Sequence, residues 1–155
     1  MTLDQPRDFA KAVGVGAIVA VLTGAVTAPL FKTGIAPMPQ APSQAFAETL
    51  LGPVADPVGL IFHLLYVTAV TTLILAFVGP RPSKWAIAGA SAALWAIAVV
   101  VFFPIVGWGI FGAAVTPKIA VAALGPHVLY GVLFWAADRL LFRAPGSTDC
   151  TFGRA

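Results

Sequence analysis

Four stretches of this 155-residue chain carry no charged side chain: Ala12 to Phe31, Pro57 to Pro80, Trp85 to Pro117 and Ile119 to Ala137. An α-helix rises about 1.5 Å per residue, so roughly 20 residues cross a hydrocarbon core of about 30 Å. Each stretch is long enough for one crossing. The whole chain is 59% hydrophobic and 10% charged, against about 25% charged in soluble domains. That is more apolar surface than one small core can hide, and the excess must face lipid. The fold class expected is all-α integral membrane, a single four-helix domain over residues 1–155.

Proline and glycine set the boundaries. Helices are expected near 10–31, 57–79, 84–105 and 117–142. The third stretch exceeds one span, and Pro104, Gly107, Gly109 and Gly112 end its helix, leaving Ile105 to Thr116 as an apolar outer loop. Asp56-Pro57 and Thr116-Pro117 each read as an N-cap followed by a first-turn proline, whose missing N–H is harmless there. The first span follows Arg7 and Lys11 as a signal peptide would. Its apolar run of 20 residues is long for a signal, whose apolar region is about 7–15 residues, so it reads as a retained helix. Between the first two spans lies a loop with Pro37, Pro39, Pro42 and Pro53. Ser43 to Leu51 reads as a short interfacial helix, with Phe46 and Leu50 on one face.

Basic residues orient the spans. Arg7, Lys11, Arg81, Lys84, Arg139, Arg143 and Arg154 fall on one side, and only Lys32 and Lys118 on the other. The positive-inside rule then puts both termini in the cytoplasm. The expected setting is a plasma membrane of prokaryotic type. Of the four tryptophans, Trp85, Trp108 and Trp135 read as interfacial belt residues and Trp95 as mid-span packing.

The two histidines occur in one pattern, His63-Leu-Leu-Tyr66 and His127-Val-Leu-Tyr130, each ten residues after a proline, Pro53 and Pro117. Ala28-Pro29-Leu30 in the first span matches Phe103-Pro104-Ile105 in the third, and Gly34 and Gly109 follow five residues beyond the prolines. This reads as a duplicated helix pair, repeat 1 near 10–79 and repeat 2 near 84–142, with 143–155 a cytoplasmic tail. Two-helix repeats return to the same side, so the copies would be parallel, related by a pseudo-twofold along the membrane normal. Gly16, Ala20, Gly24 and Ala28 form an unbroken small-residue row that lets backbones approach. Ala88, Ala92 and Ala96 form another, and the two rows are expected to meet.

His63 and His127 are the candidate site residues, with Tyr66 and Tyr130 one turn away as supporting groups. Intramembrane ionisable groups are functional candidates by default. The plain reading is a neutral imidazole bonded to a neighbouring carbonyl or tyrosine hydroxyl, tying helices together. The sharper one is a pair of axial ligands to a shared haem b. A metal site adding Asp56, Glu48 or Met38 is not adopted, because those residues lie in a loop of undefined reach. Asp138, beside Arg139 near the end of the last span, is expected to snorkel or pair; a proton path from His127 past Tyr130 to Asp138 would be the functional alternative.

The single cysteine, Cys150, excludes an internal disulfide. Hydrolase, zinc-protease and nucleotide-binding motifs are absent, as is any basic run suited to nucleic acid. The expected function is therefore a non-catalytic membrane subunit whose partners are the bilayer and other subunits or further copies of itself. An electron-transfer cytochrome using His63 and His127 is the second reading. A small-solute or ion pathway at the repeat interface is the third.

Overall fold

The computed structural model describes residues 6–142; the tail at 143–155, with Arg143, Cys150 and Arg154, lies outside them. Four helical spans long and apolar enough to cross a membrane run Arg7–Lys32, Asp56–Val78, Lys84–Ile105 and Lys118–Leu141. Among the described residues every regular element is helical. We label them α1 (Pro6–Lys32), α2 (Pro42–Leu51), α3 (Asp56–Val78), α4 (Lys84–Ile97), α5 (Phe103–Ile105) and α6 (Lys118–Leu141).

The long helices pack in a row, α3 against α1, α1 against α6, and α6 against α4. The α1–α6 contact has no counterpart of similar extent between α3 and α4, which a twofold along the membrane normal would require. The cause is local. Gly16 and Gly24 of the small row are taken up by α3, not by α4: a methyl at Gly16 would stand 2.7 Å from the Thr68 carbonyl oxygen, and one at Gly24 would meet the His63 ring at 3.3 Å. The expected meeting of the two small-residue rows is thereby corrected. Ala20 is buried in the same face and Ala28 is half-buried.

The third span passes through its proline. Pro104 has no N–H, and its ring would strike the carbonyl one turn back. The backbone widens to a π-helix over Ala98–Phe102, where the Phe103 N–H reaches back to the Ala98 carbonyl, and the chain continues into α5. The turn then reverses through Gly107 and Gly109, both with positive φ, a region open to glycine. Trp108 folds inward, buried with its ring 5.2 Å from Phe103. It belongs to an apolar core cluster rather than to an interfacial belt.

Two apolar clusters fill the row. One joins Val15, Val19, Leu75, Ile87 and Phe134 in the half nearer Arg81. The other joins Val99, Phe103, Trp108, Ile119 and Met38 in the opposite half. Most large side chains elsewhere on the spans point outward, Phe77, Val121 and Leu65 among them.

Of the two expected N-caps, the one at Asp56 does not form and the one at Thr116 makes only a long bond. α3 starts at Asp56 itself with Ala55 as cap, and the Asp56 carboxylate lies in the first turn, 3.8 Å from exposed Lys32. α6 begins at Lys118 after Pro117, and the Thr116 hydroxyl accepts from the Lys118 N–H at 3.5 Å. α2 is fastened over α3 by Gln44, whose amide donates to Glu48 Oε1 and to the Val54 carbonyl and accepts from the Gly59 N–H. Phe46 turns inward against Phe62 and Phe102, at 6.1 and 5.1 Å between centroids, whereas Leu50 stays exposed. The two therefore do not share one interfacial face.

Candidate functional site

His63 sits on the α3 face that meets α1. Its Nε2 lies 3.0 Å from the Ala20 carbonyl and 3.2 Å from Thr23 Oγ1. A carbonyl only accepts, so Nε2 carries the proton and donates. Thr23 donates its own hydroxyl proton to the Val19 carbonyl at 2.7 Å and is free to accept as well. The imidazole reaches the α1 backbone because Ala20 and Gly24 leave it room.

His127 behaves differently. Its Nδ1 lies 2.7 Å from the Ala123 carbonyl one turn back on its own helix. Here Nδ1 carries the proton, and in the neutral ring Nε2 keeps a lone pair. The ring lines a cleft of about 630 Å³ between α4 and α6, bounded also by Lys84, Ser91, Trp95, Gly131 and Trp135. None of the His63 contacts (Ala20, Thr23 and Gly24) lines this cleft. The two histidines that share a sequence pattern thus occupy separate surroundings.

Their tyrosines also part company. Tyr130 is buried, 6% exposed, with its hydroxyl 3.1 Å from Thr71 on α3. Tyr66 is 53% exposed on the outer face of α3. It stands ten residues into a 23-residue helix, about 15 Å from either end.

A second cavity, about 450 Å³, lies between the C-terminal end of α1, the N-terminal half of α6 and the 35–38 segment. Thr27 is the only hydroxyl in its lining, and that group is bonded to the Thr23 carbonyl. Among the described residues, no three His, Cys, Asp or Glu side chains gather to hold a metal ion.

Asp138 departs from its expected place at the surface. It is 0% exposed, and Oδ1 accepts from the backbone N–H of Arg81 at 3.1 Å. Beside it the Arg139 guanidinium donates to the Pro82 carbonyl at 3.0 Å. Together they clasp the α3–α4 turn to the end of α6. Tyr130 and Asp138 have different partners, on α3 and on the turn, and no bond links either to His127 among the described residues.

Family models, curated proteins and solved structures give no match to this chain. Its function is read from the site alone.

Sequence reasoning missed Trp95 as more than packing: its indole N–H crosses from α4 to the Ala120 carbonyl at 2.9 Å. It also missed Gln44. The amides of Gln40 and Gln44 both donate to Glu48 and hold its carboxyl below the ordinary carboxylate range. The spacing of Gln40, Gln44 and Glu48 at intervals of four residues was the available signal.

Proposed function

We propose that this chain is a non-catalytic integral membrane subunit whose α3 edge is covered by another helix of a larger assembly. The observation carrying this is the Tyr66 hydroxyl. It projects from mid-span on an outward face and makes no hydrogen bond among the described residues. Water is absent from the hydrocarbon core, so a hydroxyl without a partner is costly there. From mid-bilayer a tyrosine is too short to reach the interface. A helix lying against Leu65, Tyr66 and Leu73 supplies a partner.

The finer arrangement follows the same reading. The basic-residue asymmetry supports both termini in the cytoplasm of a plasma membrane. The shared His-x-x-Tyr and proline patterns support duplication. The row order suits parallel copies set side by side, since shifting the α3–α1 pair along the row lays it on α6–α4. Such an arrangement is open, with α3 and α4 as its two edges, and open edges invite further subunits or further copies.

Extraction in a mild detergent followed by native mass spectrometry tests the proposal. A species heavier than the 16.0 kDa chain with its lipids is expected, weakened by Tyr66→Phe. A lipid-only monomer in both proteins would overturn it.

A further inference from the structure

Alignment of the two helix pairs on Pro29 and Pro104 sets Ala20 against Trp95 and Gly24 against Val99. In the first pair the small residues admit His63 to the α1 backbone. In the second, an indole stands where the methyl was, and it bridges to Ala120. Trp95 stands at one end of the cleft of about 630 Å³ between α4 and α6.

The cleft has a definite length. Its lining runs on α4 from Lys84 to Trp95, about 16 Å at the helical rise. That is half of a hydrocarbon core of roughly 30 Å, or one leaflet. The remaining half of the span is closed, with Trp95 bonded to α6 and set edge-on against Phe111 at 6.3 Å between centroids. A transmembrane helix would need a groove running the full span. A lipid of one leaflet needs only half.

The lining chemistry points the same way. Ala88, Ala92 and Gly131 keep the floor low, and Ser91 Oγ is pressed against Gly131 out of reach of an occupant. The one charged group is Lys84, at the mouth. The ion pairs among the described residues are Lys11–Asp8 and Lys32–Asp56; no described carboxylate lies within 4.0 Å of Lys84, whose amine stands over the Trp85 ring at 5.5 Å from its centroid.

We propose that the α4–α6 cleft binds one anionic phospholipid, an acyl chain lying between the helices and the phosphate-bearing headgroup at Lys84. Pocket volumes of about 300–1,000 Å³ are typical of specific small-ligand sites. A basic side chain near a membrane surface favours anionic lipid by about fivefold.

Native mass spectrometry of the delipidated full chain, titrated with phosphatidylglycerol, phosphatidylcholine of the same acyl chains, and oleate, tests this. Phosphatidylglycerol is expected to be retained about fivefold more tightly than phosphatidylcholine. Lys84→Gln should erase the difference, Lys84→Arg should keep it, and Arg81→Gln, outside the cleft, should leave it intact. Ala92→Phe should displace the lipid by filling the floor; Ala88→Phe repeats the test if that variant misfolds. Equal retention of the two phospholipids, an unchanged preference in Lys84→Gln, or lipid retained in both filled variants would overturn the proposal. Preferential retention of oleate would overturn the phospholipid assignment. So would a dimer of this chain that is lost when the cleft is filled.

Discussion

At the scale of single residues, two glycines of one row should not be equal. A methyl at Gly16 meets the Thr68 backbone at 2.7 Å, whereas one at Gly24 meets side chains alone, the His63 ring at 3.3 Å and Leu60 at 3.8 Å. Backbone cannot yield without moving a helix, but a side chain can rotate. Gly16→Ala is expected to destabilise by about 1–3 kcal/mol and Gly24→Ala by less, read from thermal unfolding in detergent. Equal costs would show that the α1–α3 approach is not as close as described. The histidines give a second contrast. His63→Leu removes a bond between helices, for which about 0.5–2 kcal/mol is expected. His127→Leu removes only a bond to its own helix and should cost less. The shared pattern suggested equal roles for the two imidazoles. What separates them is the acceptor each finds, Ala20 on the neighbouring helix for His63 and Ala123 on its own helix for His127, and that depends on packing register.

At the scale of elements, the turn between α3 and α4 hangs on Asp138. Removing its carboxylate in Asp138→Ala leaves the Arg81 N–H without its acceptor, costing about 1–3 kcal/mol. Hydrogen exchange should quicken at Arg81 while the centre of α3 stays protected. Asp138→Asn keeps an acceptor oxygen and should lie between the two. α2 should respond to pH. The Glu48 carboxyl is held below its ordinary range by two amide donors, so its contribution is present above the unfolded pKa and lost as pH falls through the folded value. The protection of α2 relative to intrinsic exchange rates should therefore fall in acid, and should not change through the same pH range in Glu48→Gln. The four spans were legible because charge is confined to their ends and Pro or Gly marks each boundary, and the short helix after Pro42 was legible for the same reason. The burial of Asp138 was not legible. Arg139 beside it suggested an exposed pair, but the partner is a backbone N–H 57 residues away. The π-helical passage through Pro104 was not legible either, because a proline with following glycines also describes a plain helix end.

At the scale of the whole molecule, orientation and assembly decide what the protein does. In a Cys150→Ser background, a single cysteine at Ser83 should resist an impermeant thiol reagent in intact cells, and one at Ser43 should react. Labelling at Ser83 would reverse the topology. Probes at Thr2 and Ser147, beyond the described residues, should follow Ser83. The row of helices leaves α3 at one edge with a hydroxyl in mid-span, and the proposal that this chain is a subunit places a partner over that edge. A benzophenone side chain placed at Tyr66 and irradiated in native membranes tests this most directly. It should yield a covalent adduct with a second polypeptide, whether another subunit or a further copy of the chain. Adducts with lipid alone would contradict it.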